Sequence, residues 1–530
     1  MKFPIEPLYA SRRSPVLARN MVATSHPLAT EAGLAMLRQG GNALDAALAA
    51  AIVLVVVEPT GNGLGSDAFC ILWDGRELHG LNASGRSPAG WTPERFKGQG
   101  TMPMRGWESV TVPGAVSAWV DLSARFGKLP FETLFEPAID YAARGFHVSP
   151  VIGEQWRRGA ELLHAQPGFA EAFMPGGRAP RAGELFRSEA LANSLRLIAR
   201  SRGEAFYHGE LAQKIEAFAA AHGAVLTAAD LAAHRNDWCG TLAQEFGTAA
   251  LHEIPPNGQG IAALMALGML GETEIATLVP DSAEALHLQI EAMKLAFMDV
   301  GAFVSDPRYM REVDAAHLLD PAYLAARARL IDRDRATDFS TGAPTQGGTV
   351  CLATGDADGM MVSYIQSNYS GFGSGVVVPG TGISLQNRGF GFTTEAGHPN
   401  EVGPSKRPFH TIIPGFVMDE AGPVMAFGLM GGPMQAQGHL QMMLRTQLWR
   451  QDPQTASDAP RWRVLAGLDL ALESSMNEAA VQGLIRRGHK VVLEAPDASF
   501  GFGGAQLVQR IEGGYAGGSD SRKDGHAAGF

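Results

Sequence analysis

Cysteine is scarce in this chain: Cys70, Cys239 and Cys351 are the only three among 530 residues, odd in number and widely separated. That excludes a disulfide framework, and the absence of any Cys-x-x-Cys pair or histidine cluster leaves no metal signature. The thiols read as buried and unpaired. A long apolar run is missing too. The longest, Ala46 to Val57, lies between Asp45 and Glu58; it falls short of the roughly 20 residues that span a bilayer and reads as a buried helix. Residues 1–20 mix Pro4, Pro7, Arg12, Arg13 and Pro15 with isolated apolar side chains, unlike the continuous apolar segment of a secretory signal. Basic clusters are absent as well. Lys and Arg number 43 against 54 Asp and Glu, and a formal charge of −11 has the wrong sign for a nucleic-acid surface. The glycine-rich stretch Pro59 to Asp67 carries no lysine and lacks phosphate-loop spacing, which argues against a nucleotide cofactor. Together these absences fit a cytoplasmic protein without membrane, nucleic-acid, metal or cofactor partners.

What is present is an ordinary globular composition, 45% hydrophobic and 18% charged, with 64 glycines. Ala32, Ala35 and Met36 followed by Gly40-Gly41 predict a helix and its stop, and Asn42 can cap a second helix. Asp74-Gly75 predicts a hairpin between strands at 68–73 and 77–82. The middle of the chain, from Asp121 to about Leu330, reads as mainly helical. Glu284 to Phe303 is a long helix whose charges read as a solvated face. His26 and His287 each read as isolated hydrogen-bonding histidines. Residues 331–346 turn polar and then glycine- and proline-containing, the mark of an exposed linker. Strand alternation begins after Gly348, with a hairpin over 349–367 and further strands at 424–430, 491–494 and 505–511. Helices with antiparallel strands in both halves imply an α/β class with layered sheets.

The junction Gly348-Thr349, placed after the linker and at the start of a strand, suits self-cleavage. The threonine hydroxyl can attack the glycine carbonyl, and hydrolysis of the ester frees an α-amino group on Thr349. That amine, with an unperturbed pKa of about 7.7–8.0, can act as base for its own hydroxyl. Taken alone, the dipeptide is a weak signal.

The wider text is more specific. Residues 21–29 (Met-Val-Ala-Thr-Ser-His-Pro-Leu-Ala), 38–47 (Arg-Gln-Gly-Gly-Asn-Ala-Leu-Asp-Ala-Ala), Val112-Pro113-Gly114, Glu291 to Phe297, Gly403 to Pro408 and Gly431-Gly432 resemble the γ-glutamyltransferase family, in order, from about residue 16 to the C-terminus. The resemblance implies a four-layer αββα sandwich of the N-terminal-nucleophile hydrolase type. It also implies a precursor cut between Gly348 and Thr349 into a large subunit, 1–348, and a small subunit, 349–530, that share one core. It assigns Thr349 as nucleophile, Gly431 and Gly432 as oxyanion hole, Ser367 as the hydroxyl beside the nucleophile, and Arg86 as the grip on a substrate carboxylate. Where the family's γ-glutamyl enzymes hold the substrate ammonium with aspartates, this chain has Phe390 and Gly391. Arg388 replaces a Gln/Glu there, and His410-Thr411 replace a serine pair near the carboxylate. Loss of the ammonium partner points to a small carboxylate-bearing amide, oxamate-like or glutaryl-like. Arg388, His410 and Thr411 join the expected binding set, while an ion pair between Arg388 and an acidic neighbour stays open. The alternatives are a γ-glutamyltransferase or glutathione hydrolase, and a catalytically silent homologue with a binding role. A homodimer of processed heterodimers is one assembly left open.

Overall fold

A computed structural model describes residues 12–339, 348–496 and 501–530. Local chemistry starts and stops the first helices as expected. Pro27–Arg38 ends before Gly40, whose φ is 90°. Ala43–Val57 begins with a capping box in which Asn42 and Asp45 each accept the other's backbone N–H. All of its residues are buried, as expected of a helix that is apolar on every side.

Two seven-stranded sheets form the centre. One runs Val16–Ala18, Gly514–Ser519, Ala505–Ile511, Gly422–Leu429, Pro414–Asp419, Ala249–Glu253, Leu242–Phe246. The other runs His526–Gly529, Met21–Thr24, Gly348–Gly355, Met361–Tyr369, Asp67–Trp73, Leu78–Asn82, Asp237–Trp238. Every pairing within the two sheets is antiparallel.

Strand alternation divides their side chains. Phe69, Ile71, Cys351, Ala353 and Ile365 of one sheet meet Phe416, Ala426 and Val508 of the other in the core between them. On the opposite face, Val350, Leu352 and Val362 pack on Ala43–Val57 and its neighbouring helices. The outer face of the other sheet, including Val417, Met425 and Phe427, packs against Gly260–Gly271, Ala283–Phe303 and Met434–Met443. The architecture is a four-layer αββα sandwich. Among the described residues, no helix is long and apolar enough to cross a membrane.

Several expectations need correction. Ala283–Phe303 does not present its charges to water: Glu291 and Lys294 are both buried and paired at 2.8 Å. His287 is not isolated, because its Nδ1 lies 2.8 Å from His489 Nε2, while its Nε2 donates to the Asp332 carbonyl at 2.7 Å. This buried group ties the helix to the approach of the linker, where Glu291 also accepts the Thr337 N–H at 3.0 Å. The linker is exposed over 332–335, but Ala336 is buried; its remainder, 340–346, lies outside the described residues. Cys70 and Cys351 are buried and Cys239 is half-buried, all three unpaired. Several strands escaped the sequence reading, among them Met21–Thr24, Leu242–Phe246, Ala249–Glu253, Pro414–Asp419, Gly514–Ser519 and His526–Gly529.

Candidate active site

Gly348 and Thr349 open a strand near the middle of one sheet, and both are buried. Gly348 pairs with Tyr369, and the ladder then slips: Ser367 and Asn368 together oppose Thr349, a bulge in the partner strand, before pairing resumes at Val350 and Gln366. A bulge frees the backbone of one residue from the ladder and re-aims its side chain. The Thr349 hydroxyl lies 3.0 Å from Ser367 Oγ, and Ser367 in turn donates to the Gly348 carbonyl at 2.8 Å. Ser367 Oγ also accepts the Tyr369 N–H at 2.8 Å. With its one proton on Gly348, Ser367 accepts from Thr349. A single hydroxyl therefore touches the candidate nucleophile and polarises the carbonyl beside it. Gly61 packs closely at this point: a Cβ there would stand 3.2 Å from the Thr349 carbonyl oxygen, tighter than ordinary van der Waals contact.

Ser367 pairs directly with Asp67 on the next strand, so Thr349, Ser367 and Asp67 form a row on the inner face of the sheet. Asp67 is fully buried. One oxygen accepts from the Gly85 and Gly114 amides, each at 3.1 Å, and the other meets His410 Nε2 at 3.1 Å. Burial pushes its carboxyl up to about 7, with Arg388 the foremost opposing charge. His410 Nδ1 accepts the Ile412 N–H at 3.3 Å, which places the proton of the neutral ring on Nε2, toward Asp67. Burial, followed by the fields of Arg388 and Arg407, holds His410 well below its ordinary range.

The other sheet contributes the loop after Gly422–Leu429. Gly431 and Gly432 have φ of 114° and 62°, backbone that favours glycine, and neither amide meets an acceptor among the described residues. Two adjacent N–H groups without an acceptor can hold an oxyanion. Met430 donates to the Gly504 carbonyl at 3.1 Å below the loop. Gln259 Nε2 donates to the carbonyls of Gly432, at 2.8 Å, and Thr411, at 2.5 Å, joining the glycine pair to the adjacent wall.

That wall encloses a cavity of about 430 Å³. It is bounded by Tyr369, paired with Gly348 across the ladder, by Pro433, next to Gly432, and by Gln259, Arg388 and Thr411. Phe297, Val300, Val304, Phe390, Phe392 and Phe409 add apolar lining, beside polar residues that include Thr393, Glu395, His398 and Asn400. Arg388 is 1% exposed, its Nη1 donates to Thr411 Oγ1 at 2.8 Å, and its guanidinium lies 4.8 Å from the Tyr369 ring centre. Burial lowers its pKa to about 10, so it stays a cation at neutral pH.

The structure thus brings Thr349, Gly348 and Ser367 together, and sets Arg388 and Thr411 in one cavity. It places the other two expected binding residues elsewhere. Arg86, 30% exposed at its side chain, donates to Asp306 at 2.9 Å and does not line the cavity. His410 is turned to Asp67 and packs on Phe69.

Sequence reading missed Asp67, Gln259 and Tyr369. A charged residue opening the apolar strand 68–72 was a legible sign of a buried charge at Asp67. Tyr369 gave no sign, because its φ of 79° is imposed from outside: Arg105 donates to the carbonyls of Ser370, at 2.9 Å, and Gly371, at 3.0 Å, in the following turn.

One prediction follows from the Ser367 geometry. Ser367→Ala should slow any cleavage at Gly348–Thr349 about 10²-fold, the usual loss on removing one oxyanion donor. A gel time course of freshly folded protein reads this out, and an unchanged rate would strip Ser367 of the role.

Known proteins are similar to this chain over nearly its whole length. The sequence profile of the gamma-glutamyltranspeptidase family matches residues 29–530. A glutathione hydrolase-like proenzyme of Bacillus subtilis is 36% identical over 529 residues, covering 98% of this chain and 100% of the relative. The oxamate amidohydrolase proenzyme of Klebsiella pneumoniae is 36% identical over 533 residues, covering 98% and 99%. Among solved structures, the cephalosporin acylase of Bacillus halodurans superposes with a TM-score of 0.95 at 45% identity, covering 100% of this chain and 99% of that one.

Proposed function

This chain belongs to the gamma-glutamyltranspeptidase family of enzymes, and on that premise we propose that it is a self-processing amide hydrolase whose nucleophile is Thr349. The observation that carries this reading is the Gly348–Thr349 junction opposite a bulge in the next strand, with Ser367 of that bulge bonded to both residues. In the first reaction Thr349 Oγ1 attacks the Gly348 carbonyl carbon. The C–N bond breaks as the hydroxyl proton passes to the departing nitrogen, and an ester links the two residues. Water then cleaves the ester, leaving a carboxylate on Gly348 and a free amine on Thr349. The products are a large subunit, 1–348, and a small subunit, 349–530, which hold together because each contributes strands to both sheets.

In the second reaction the new amine takes the hydroxyl proton as Thr349 attacks a substrate amide, and the Gly431 and Gly432 amides hold the oxyanion. The proton then goes to the leaving amine, and water releases the acyl group. The cavity beside this machinery supports a substrate whose acyl part carries a carboxylate. Among the described residues, its lining holds one buried cation, Arg388, and its one carboxylate, Glu395, is exposed. An α-ammonium therefore meets no buried acid in the lining. The oxamate amidohydrolase and the cephalosporin acylase among the relatives are consistent with this class.

Intact mass measurement of purified protein, followed by turnover assays on oxamate, glutaryl amides and γ-glutamyl amides, tests the reading. Two fragments of 348 and 182 residues (530 − 348) and a preference for the amides without an ammonium are expected. A single chain with no amide turnover removes it in favour of a silent homologue. A preference for γ-glutamyl amides restores the transferase alternative.

A further inference from the structure

The strand Met361–Tyr369 runs into a turn, Ser370-Gly371-Phe372-Gly373, that folds back onto the Gly348–Thr349 junction. A Cβ on Gly348 would stand 2.9 Å from the Gly371 nitrogen and 3.0 Å from the Thr60 carbonyl oxygen, so two main-chain segments lie directly against this residue. Gly61 meets the Thr349 carbonyl in the same way, and the Phe372 N–H donates to the Thr60 carbonyl at 2.9 Å. The loop at 60–61 and the turn at 370–373 thus both pack on the junction and are bonded to each other.

This turn is bent against local preference. Tyr369 and Phe372 have φ of 79° and 57°, a left-handed region that residues with a side chain rarely adopt. The carbonyls of Ser370, at 2.9 Å, of Gly371, at 3.0 Å, and of Gly373 all accept from one atom, Arg105 Nη1, while Nη2 donates to Ser370 Oγ at 3.1 Å. Three carbonyl dipoles aimed at one point repel one another unless a cation stands there. The cation comes from far away in the chain, 265 positions before Ser370, in a segment outside any helix or strand. That segment is stitched to the turn on both sides of Arg105. Gly106 donates to the Ser374 carbonyl at 2.9 Å, and Asn387 accepts the Ser370 N–H at 3.1 Å while donating to the Met104 carbonyl at 2.8 Å. The hydrogen bonds of Arg105 go to main-chain carbonyls and one hydroxyl, with no carboxylate among them. Burial lowers its pKa to about 10, which leaves it a cation at neutral pH.

We propose that Arg105 is a positioning residue for self-cleavage: by gathering the carbonyls of Ser370, Gly371 and Gly373 it keeps the turn pressed on Gly348, and so fixes the Gly348 carbonyl carbon where Thr349 Oγ1 attacks it. This deepens the self-processing reading above and rests on it. Arg105 touches no reacting atom; it acts through Gly371, which packs on Gly348, and through Tyr369, which pairs with it. The step it serves is the first one. There the bond from Thr349 Oγ1 to the carbonyl carbon forms, the C–N bond breaks, and the hydroxyl proton passes to the departing nitrogen. Hydrolysis of the ester by water comes after it.

The test follows cleavage of freshly synthesised full-length chain by intact mass, with and without hydroxylamine, which cuts an accumulated ester faster than water does. Arg105→Ala should slow cleavage about 100-fold, the cost of misplacing a reacting atom by about 1 Å. Hydroxylamine should not restore the rate, because the ester never builds up. Ethylguanidinium, which can refill the site, should recover at least about tenfold, whereas ethylammonium, of equal charge but without the planar fork, should recover less than about twofold. Arg105→Lys keeps the charge and loses the fork, so a loss of about tenfold is expected, and it substitutes for the alanine variant should that variant not fold. In a Thr349→Ala background, which has no attacking hydroxyl, Arg105→Lys should leave the melting temperature within a few degrees. Cleavage of both variants at the wild-type rate, recovery by hydroxylamine, ethylguanidinium that does no better than ethylammonium, or a melting temperature that falls together with the rate overturns the assignment. A wild-type chain that stays whole overturns the underlying reading instead.

Discussion

Thr349→Ala is expected to remain a single 530-residue chain where the wild-type protein separates into fragments 1–348 and 349–530. Alanine removes the only atom that can form the ester, while the Ser367 contact to the Gly348 carbonyl is retained. The backbone around the bulge has no reason to move, so the melting temperature should stay within a few degrees of the uncleaved precursor. Amide turnover should fall by at least about 10⁴-fold, since both the nucleophile and the amine that activates it are lost. Thr349→Ser keeps an attacking oxygen and should still split. Intact mass spectrometry of the three proteins decides the matter. An alanine variant that splits at the same bond would mean that another group, or an external protease, makes the cut.

Asp520→Ala should lower stability by about 3–5 kcal/mol, the second large effect. Asp520 is fully buried between two arginines. One oxygen accepts from Arg461 at 2.5 Å and from the Ala505 amide at 2.7 Å; the other accepts from the Arg522 backbone at 2.8 Å and its side chain at 3.1 Å. Glu473 supplies the second carboxylate, at 2.5 and 2.6 Å from Arg522. Two cations and two anions balance, and removing one anion leaves an uncompensated buried charge. The damage reaches the active site by a short route: Ala505 pairs with Leu429, and the neighbouring Gly504 carbonyl holds Met430 just before the Gly431–Gly432 turn. Slower cleavage should therefore accompany the lower urea midpoint.

The same residue sets a pH dependence. Burial pushes the Asp520 carboxyl up, but Arg461 and Arg522 outweigh it and hold the pKa below the usual carboxylate range. A depressed acid contributes stability that is complete above its unfolded pKa of about 3.9 and is lost as the pH falls toward the folded value. The gap in unfolding free energy between wild type and Asp520→Ala should be full at neutral pH and narrow below about pH 4. A gap that stays constant down to pH 3 would show that the carboxylate charge is not what stabilises this corner.

Much of this architecture was legible in the chain because its signals are local. The capping residues of Ala43–Val57, the turn at Asp74-Gly75 and the hairpin leading out from Thr349 are each encoded within a few positions. The overlooked strands show where such signals fail. Leu242–Phe246 is an edge strand with only partial burial, so its apolar alternation is faint. Gly514–Ser519 contains Gly514, Gly517 and Gly518, which carry no apolar alternation, yet a Cβ at 517 would stand 2.5 Å from the Met21 sulfur. Its glycines serve close packing between neighbours distant in sequence.

The sequence by itself determined the layered α/β class, since caps and periodicity act through neighbouring residues, and its resemblance to a known family singled out Gly348, Thr349, Ser367, Gly431 and Gly432 as candidates for the chemistry. Tertiary structure alone decided the charges. Arg86 is neutralised by Asp306, 220 positions away, whereas Arg388 keeps two donors unbonded beside a cavity. Glu291 and Lys294 pair in the interior although their helix reads as half solvated. A side chain's charge is written in the chain, but its partner, its burial and hence its electrostatic role depend on which distant segments the fold brings within a few ångströms.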